Sequence, residues 1–517
     1  MQKRITWVTA ITIGLLFFQS IGKTDDQVET RKKAKMLEIA MSALPKTADP
    51  RELWNFQHFL LVQSIYQSLV RVSESGKLVA DLSTRWEIDR SGKVYTFYLN
   101  EKALFQNGQP VTSQDVALSL ARHLWPNSPS VIQNYLKDTL VGANNLKTGA
   151  IPGGITTPSD HVVRLTLTNP YPPFLFVLAM PGFSIVPAGL AQTPKGEWIG
   201  SGPMSARWNS DTSRWTLTLF DKYSGSRVPT HEIRLRQTAN FQETQDLVRK
   251  NEIDVAIGIP ISDAAENLNL PGFQVTKTNS LVYSHLFFNH KSQLFHSHDL
   301  RKDLGQFIQS LAKKPEHLTE FLTYEPYYLP KGIMPPSYYQ RQDHSLSADE
   351  LRNKWHREIA GKRLHVVVLK NYYNKRMLDD LETTLKALGF EVTFDRVLVT
   401  DYFAILKNGD YDMITGSYVG NFPDPDGFLD PLKEGAQIHF GLGPSRKLFQ
   451  QIEKARYMVP AEKRLEEYSK ILRQYEDEWN FIPMYRVSMP MIHNSKVSIP
   501  DTNFRYEAEL WNMFWKP

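Results

Sequence analysis

The stretch Leu78–Leu124 reads LVADLSTRWEIDRSGKVYTFYLNEKALFQNGQPVTSQDVALSLARHL and contains an ordered series of local folding signals. It predicts a β-hairpin, because strand-like residues at Arg85–Ile88 and Val94–Leu99 flank an acidic turn that ends at Gly92. A second tight turn, FQNGQP, leads into Thr112, whose hydroxyl is placed to cap a helix. The stretch therefore predicts a hairpin, a turn and a helix in immediate succession.

The whole chain is larger than one ordinary domain. Its 517 residues predict two or three domains. With 41% hydrophobic and 22% charged residues, the composition is that of a soluble globular protein. The 60 basic residues nearly balance the 55 acidic ones, which gives no reason to expect nucleic acid as a partner.

The N-terminus has the pattern of a secretory signal peptide. Two basic residues precede an apolar run, Ile5–Phe18, whose fourteen residues are fewer than a membrane-spanning helix needs. Small residues at the −3 and −1 positions predict a cut after Gly22, so residues 1–22 are interpreted as the signal peptide. An uncleaved anchor is the alternative. The charged stretch 23–35 is expected to be a mobile leader.

The sequence contains no cysteine. This excludes a disulfide framework and a lipid attached to a mature N-terminal cysteine. We therefore expect an exported, soluble periplasmic protein that is not a lipoprotein.

The order of the motifs resembles that of the family 5 bacterial extracellular solute-binding proteins, the oligopeptide-, dipeptide- and nickel-binding proteins of ABC importers. In Leu78–Leu124 the resemblance consists of a Trp-containing strand, an acidic Gly turn, an aromatic strand, Phe-x-x-Gly-x-Pro-Val-Thr and an Asp-Val pair on a helix. Further pieces follow in the family's order, namely NPYPPFLFVLAMPGFSIVP, GSGPM, NEIDVAIGIP, YLPKGIMPP and FIPMYRVSMPMI. The resemblance extends from about Leu37 to the C-terminus.

The resemblance implies an α/β, two-lobed periplasmic-binding-protein fold with two crossover strands, a ligand cleft between the lobes and a subdomain inserted early in the first lobe. Projected onto this chain, the base lobe comprises 23–57, 183–283 and 486–517, the inserted subdomain 58–182, and the second lobe 284–485. The chain is expected to cross between the lobes near Ser284 and Tyr485.

The resemblance also implies a function. A protein of this kind captures a solute in the cleft by hinge closure and delivers it to an ABC permease in the inner membrane. We expect an oligopeptide-like or other small polar solute, bound by a monomer. Two alternatives stay open: a ligand sensor of the same fold that does not serve transport, and an exported hydrolase.

The stretch YDMITGSYVGNFPDPDGFL, Tyr411–Leu429, predicts a strand that runs into a turn rich in aromatic residues and proline. In peptide-binding relatives the corresponding turn reads Trp-x-x-Asp-x-x-Asp/Glu-Pro, and its first Asp holds the α-ammonium of the peptide. Counting back from Pro425 places Asn421 at that Asp position and Tyr418 at the Trp position. Asn421 has no negative charge, so a free peptide N-terminus requires another carboxylate. Asp424 is interpreted as part of the turn itself.

The candidate ligand-binding residues are an amide and several aromatic side chains in this turn or on the expected rim of the cleft. They are Asn421, Tyr418, Phe422, Tyr372 and Tyr373. Pockets for small ligands are mostly apolar with a few placed polar groups, which suits this set. The aromatic members also fit ordinary packing beneath the turn or on a solvent-facing loop.

Signals of an enzyme are missing from the sequence, which has no GxSxG, no GxxxxGK[ST], no HExxH and no cysteine nucleophile. The run HKSQLFHSHD holds three histidines and an aspartate, but their spacing matches no helix or hairpin motif for a metal. We therefore predict no catalytic residue, no metal and no cofactor.

Overall fold

The computed structural model describes most of the chain after residue 25. The described residues are 26–53, 55–73, 75–188, 196–258, 270–277, 282–289, 291–319, 322–325, 327, 329, 333–339, 345–369, 375–397, 399–429, 446–500 and 509–517. Within them, helices occupy 26–34, Phe56–Ile65, Ser113–Ala121, Asn134–Lys137, Phe174–Leu178, Phe241–Arg249, His298–Ala312, Ala348–Lys354, His356–Ile359, Lys375–Ala387, Val399–Asn408, Arg446–Arg456 and Ala461–Asp477.

The largest sheet has eight strands. In spatial order they are Phe273–Lys277, Pro490–Asn494, Val255–Ile257, Met36–Met41, Glu232–Gln237, Arg214–Leu219, Met204–Asn209 and Glu197–Trp198. Strand Met36–Met41 runs parallel to both of its neighbours, and all of its residues after Met36 are buried. A strand in such a position is covered on both faces, which explains the nearly continuous apolar sequence LEIAM.

A second sheet has six strands. In spatial order they are Leu322–Tyr324, Phe481–Val487, Val282–Phe288, Met413–Val419, Arg363–Leu369 and Glu391–Val397. Every residue of Val282–Phe288 is buried, and both of its neighbours run antiparallel to it. The proline-rich turn therefore follows Met413–Val419, a strand in the middle of this sheet.

The chain passes twice between the two large sheets, and the segments that flank the two passages are paired. In the eight-stranded sheet Lys277 lies opposite Pro490, and in the six-stranded sheet Val282 lies opposite Val487. The same two segments are thus antiparallel neighbours in both sheets, and we call these paired segments the ribbon. Ser284 and Tyr485, near which the crossings are predicted, are register partners in this ribbon.

The stretch Leu78–Leu124 supplies the start of a third sheet. Its strands, in spatial order, are Ser83–Ile88, Val94–Leu99, Val162–Thr166 and Ile155–Ser159. The predicted hairpin is confirmed. The predicted helix cap is confirmed too, because Thr112 and Asp115 exchange hydrogen bonds between side chain and backbone as a capping box. Two strand pairs complete the sheets, Val70–Val72 with Leu78–Ala80 and Val497–Ser498 with Phe514–Trp515.

The leader predicted to be mobile is instead mainly helical, so that prediction is wrong for residues 26–34. The helix is held by Arg31, whose guanidinium donates hydrogen bonds of 2.8 and 2.9 Å to the two carboxylate oxygens of Asp254. Val28 is only 5% exposed and belongs to the core of the eight-stranded sheet. The prediction failed because one cation of this charged segment, Arg31, is buried and faces the sheet.

The predicted signal peptide, residues 1–22, lies outside the described residues. None of the helices in the described ranges is long and apolar enough to cross a membrane.

We predict that Arg31→Ala lowers the free energy of unfolding by about 3 to 5 kcal/mol, because it leaves the buried carboxylate of Asp254 without its partner. Urea denaturation of the exported protein measures this loss. Lys33→Ala is the matched control, since Lys33 lies on the same helix and is exposed. An equally small effect of both substitutions would contradict the anchoring role of Arg31.

Candidate functional site

A cavity of about 180 Å³ lies where segments assigned to the base lobe, the inserted subdomain and the second lobe meet. Five parts of the chain line it, at positions 63–81, 176–184, 203–226, 421–422 and 509–512. Asn421 and Phe422 of the proline-rich turn are among the lining residues. The cavity therefore brings the turn singled out in the sequence against distant segments.

Asp81 supplies a carboxylate to the cavity wall. Its two oxygens accept hydrogen bonds from Gln67 Nε2, at 2.9 Å, and from the backbone N–H of Ser68, at 2.8 Å. Burial raises the pKa of the Asp81 carboxyl to about 6, although both hydrogen bonds favour its charged form. Asp81 is thus mostly ionised at neutral pH and loses its charge in mildly acidic solution.

Arg71 and Glu509 add an ion pair to the same wall, with Nη1 of Arg71 donating to Oε1 of Glu509 at 3.1 Å. Together with Asp81, these side chains give two negative charges and one positive charge. Burial also raises the pKa of the neighbouring Tyr223, which keeps its hydroxyl neutral. The wall therefore has an excess of one negative charge when Asp81 is ionised.

Two further polar atoms at the wall lack hydrogen-bond partners within the described residues. They are the hydroxyl of Tyr66 and Oε1 of Gln67, and both side chains line the cavity while being 3% exposed. Buried polar groups normally form hydrogen bonds. The cavity wall thus offers two hydrogen-bonding groups, the hydroxyl of Tyr66 and Oε1 of Gln67, for which the described residues provide no partner.

Asn421 is half-buried at the cavity. Its side-chain amide donates to the hydroxyl of Tyr135 at 3.0 Å, and its backbone N–H donates to the carbonyl of Gly427 at 2.9 Å. Phe422 is 1% exposed and packs with the core of the four-stranded sheet. Its ring stacks on that of Phe176 with centroids 6.5 Å apart. The turn is therefore docked on the inserted subdomain.

The structure says less about the other three predicted ligand contacts, Tyr418, Tyr372 and Tyr373. The backbone of Tyr418 lies on the strand Met413–Val419 and pairs with Tyr283. Tyr372 and Tyr373 lie outside the described residues. Of the five candidates, Asn421 and Phe422 are the ones seen to line the cavity. A ligand role for all five stays a prediction.

Asp424 has the structural role predicted for it. One of its carboxylate oxygens caps the next turn through the backbone N–H of Asp426, at 2.9 Å, and the carboxylate pairs with the guanidinium of Arg464. Gly427 fits closely here, since a Cβ at that position would lie 2.5 Å from the carbonyl oxygen of Phe422. The turn is fixed by these contacts and not by its prolines alone.

Asp426 is fully buried beneath the turn. Its carboxylate accepts hydrogen bonds from Nε of Arg456, at 2.8 Å, from the hydroxyl of Tyr468, at 3.3 Å, and from the hydroxyl of Tyr171. Arg456 and Tyr468 lie on the helices Arg446–Arg456 and Ala461–Asp477, whereas Tyr171 belongs to the core of the four-stranded sheet. Asp426 is therefore occupied by these partners and is not free to hold a ligand amine.

Asp81, Arg71 and Glu509 were not found from the sequence. Asp81 follows a short strand at the start of the quoted stretch, where it looks like an ordinary turn residue. The signal that the sequence does contain is an acidic residue between apolar neighbours, LVADL, at the end of a hairpin. In the part of the chain that the structure describes, no group of three or more His, Cys, Asp or Glu could hold a metal ion.

Residues 77–308 match the model of the family described as "Bacterial extracellular solute-binding proteins, family 5 Middle". The chain is also similar to the probable D,D-dipeptide-binding periplasmic protein DdpA of Escherichia coli K12, with 23% identity over 437 residues that cover 81% of each protein. The region 77–308 therefore belongs to this family, and the resemblance predicted from the order of the motifs is confirmed.

Two solved structures show the fold. The periplasmic binding protein AgaA from A. tumefaciens R10, in complex with agropinic acid, is similar with a TM-score of 0.75 and 20% identity, over 93% of this chain and 99% of AgaA. NikZ from Campylobacter jejuni, in complex with Ni(L-His), gives a TM-score of 0.74 and 17% identity, over 93% of this chain and 99% of NikZ. The predicted two-lobed periplasmic-binding-protein fold is confirmed.

We predict that Tyr171→Phe shifts the equilibrium between the open and closed lobes toward the open form. The substitution removes a hydrogen bond to a buried carboxylate across the lobes, an interaction of about 1.5 to 3 kcal/mol. Small-angle X-ray scattering of the protein without added solute measures the change as an increased radius of gyration.

Tyr468→Phe is the control for this experiment, because it removes a hydrogen bond to the same carboxylate from within the second lobe. It should lower stability without opening the cleft. An equal increase of the radius of gyration in both variants would contradict a specific role of Tyr171 in closure.

Proposed function

We propose that this protein is the extracytoplasmic solute-binding component of an ABC importer, capturing an oligopeptide-like or other small polar solute in the interlobe cleft. The observation that carries the proposal is the family match over residues 77–308, in a chain whose lobes meet around a polar cavity. The proposed location is the periplasm, as a soluble monomer without a lipid anchor. The proposed partner is a permease in the inner membrane. No catalytic step is assigned to the protein.

We propose that the chain is divided as the motifs imply, with a base lobe of 23–57, 183–283 and 486–517, an inserted subdomain of 58–182 and a second lobe of 284–485. The distribution of strands supports this division. All strands of the eight-stranded sheet fall in the first set of ranges, those of the four-stranded sheet in the second, and those of the six-stranded sheet in the third, apart from Val282 and Tyr283 at one crossing and Arg486 and Val487 at the other.

We propose that the solute carries a positively charged group that lies against Asp81. The support is electrostatic, since Asp81 and Glu509 together outweigh Arg71 at the cavity wall. A charged group without a partner is costly to bury, so the excess carboxylate favours a cation. Asp81 would then supply the negative charge that Asn421 lacks, from another part of the cavity lining.

The five candidate contacts keep different roles in this proposal. Asn421 would orient the solute through its amide, while Phe422 would shape the wall from beneath because only 1% of it is exposed. Tyr418, Tyr372 and Tyr373 are proposed to complete the cleft on the second lobe.

Mass spectrometry of the solute that co-purifies with the mature protein is the direct test of the proposed function. A small polar molecule, released on denaturation and taken up less by cells that lack the permease encoded by neighbouring genes, is the expected result. Unchanged uptake of the verified solute would favour the sensor, and turnover of peptide or glycoside libraries would favour the hydrolase.

We predict that Asp81→Asn weakens binding of the co-purified solute by about 10- to 100-fold, as expected for the loss of one charge-assisted hydrogen bond. The new amide keeps its acceptor for Ser68, so the fold should persist. Isothermal titration calorimetry measures the change. Asp160→Asn is the control, since Asp160 is exposed and outside the cavity. An unchanged affinity of the Asp81 variant would exclude a cation at this position.

Binding of the solute should weaken as the pH falls through about 6, because protonation then removes the charge of Asp81. The loss should be present in the wild type and absent in Asp81→Asn. Calorimetry across this pH range makes the comparison. A parallel decline in both proteins would assign the pH dependence to another group.

The substitution Asn421→Asp restores the carboxylate that peptide-binding relatives have in the turn. We predict that it tightens binding of peptides with a free N-terminus by about 10- to 100-fold and leaves N-acetylated peptides unaffected. Calorimetry with both peptide forms measures the difference. Tight binding of free but not acetylated peptides by the wild type would show that the missing charge does not matter.

A further inference from the structure

A second concave surface lies on the base lobe and has a volume of about 590 Å³. We call it the basic groove and define it by Lys32, Lys35, Arg227 and Lys516, together with Phe514 and Trp515. It shares only Asn512 with the lining of the cavity described above. Its lining includes no aspartate or glutamate. The basic groove is therefore distinct from the cavity, and all of the charged side chains that line it are positive.

The basic groove is built from rigid parts. Lys32 belongs to the helix 26–34, which Arg31 ties to the eight-stranded sheet through Asp254. Phe514 and Trp515 form the short strand that pairs with Val497–Ser498. The indole N–H of Trp515 donates to the carbonyl of Met36 at 2.8 Å. The positive charges are thus held on an ordered surface and not on a loose tail.

The four cations of the basic groove form no salt bridge with any carboxylate in the part of the chain that the structure describes. Other cations do, for example Lys354 with Asp303 at 2.6 Å and Lys386 with Glu382 at 2.7 Å. Lys35, Arg227 and Lys516 are exposed. The side-chain ammonium of Lys516 donates to a backbone carbonyl, that of Ser495, at 2.8 Å. The groove therefore presents cationic groups that intramolecular carboxylates leave unneutralised.

We propose that the basic groove binds the phosphate groups of anionic phospholipids and so holds the protein at the membrane surface. Basic clusters next to a membrane gain roughly 1 kcal/mol of attraction per Lys or Arg, and an apolar ring such as that of Phe514 beside basic groups is typical of surfaces that lie on a membrane. The inference goes beyond solute capture, because it assigns a second binding surface outside the cleft.

The position of the basic groove in the sequence favours a membrane over a soluble polyanion. Only residues 19–25 separate the apolar run Ile5–Phe18 from the helix that carries Lys32. Seven extended residues span at most about 25 Å. While the apolar run is in the membrane, during export or as an uncleaved anchor, the start of the helix that carries Lys32 lies within about that distance of the headgroups.

The test is co-sedimentation of the mature protein with vesicles of phosphatidylcholine, with and without phosphatidylglycerol. Binding is expected only with phosphatidylglycerol, and it should be lost at high salt because screening weakens exposed charges. The combined variant Lys32→Glu, Lys35→Glu, Arg227→Glu and Lys516→Glu should lower the partition coefficient by more than about a thousandfold, the loss expected from removing the four positive charges alone. The four glutamine substitutions at the same positions give a milder variant, with an expected smaller loss, if the glutamate variant fails to fold.

A control variant separates the groove from net charge. It carries Lys137→Glu, Lys147→Glu, Lys250→Glu and Lys407→Glu, which are exposed positions outside the groove with the same change in charge. It should keep at least a tenth of the wild-type partition. Equal losses in both variants would overturn the proposal. Calorimetric binding of inorganic phosphate or glycerol phosphate at the groove, without vesicle binding, would also overturn it and assign a small-anion site.

Discussion

The carboxylate of Asp426 is the interaction on which the arrangement around the cavity depends. It is fully buried, and such a group is stable only when opposite charge and hydrogen bonds compensate the loss of water. Arg456 and Tyr468 provide this from one lobe, and Tyr171 provides it from the inserted subdomain. Because the compensation comes from both sides, the turn that carries Asn421 is held in one position against the subdomain. The same contact that stabilises the buried charge thus sets the geometry of the cavity wall.

The carboxylates of the proline-rich turn are neutralised by arginines, whereas the rest of the cavity lining has an excess of negative charge. The carboxylates of Asp424 and Asp426 are both engaged by arginines of the second lobe, so the turn has little negative charge to offer a solute. Another part of the cavity lining carries Asp81, which accepts hydrogen bonds from Gln67 and Ser68 and whose pKa is raised to about 6 by burial. Electrostatic attraction would then act from the base lobe and the subdomain hairpin, while the second lobe contributes shape and amide hydrogen bonds. Such a division is compatible with a small polar solute that enters while the lobes are apart.

The sequence predicts the structure correctly where an element depends on neighbouring residues, or where many motifs follow one another in the order of the family. The hairpin of Arg85–Ile88 with Val94–Leu99 and the capping box of Thr112 with Asp115 follow from a few neighbouring residues. The two crossings followed from the family order. The cavity wall could not be predicted, because Arg71 and Glu509 pair across 438 positions, and no local pattern shows that an exposed-looking Asp81 will face them. The anchoring role of Arg31 is not predictable for a similar reason, because nothing local in a run of cations distinguishes the one that pairs with a buried carboxylate.

The ribbon that connects the two large sheets constrains how the lobes can move relative to each other. Its two strands are paired on both sides of the crossing, up to Lys277 opposite Pro490 and again from Val282 opposite Val487. Hinged closure needs only a few residues at the ends of elements to change their backbone angles. A rotation about the ends of the two ladders leaves their hydrogen bonds intact, so we expect the relative motion of the lobes to follow one angle. Open, intermediate and closed forms would differ in one angle, so a single distance measured across the cleft would report the complete course of closure.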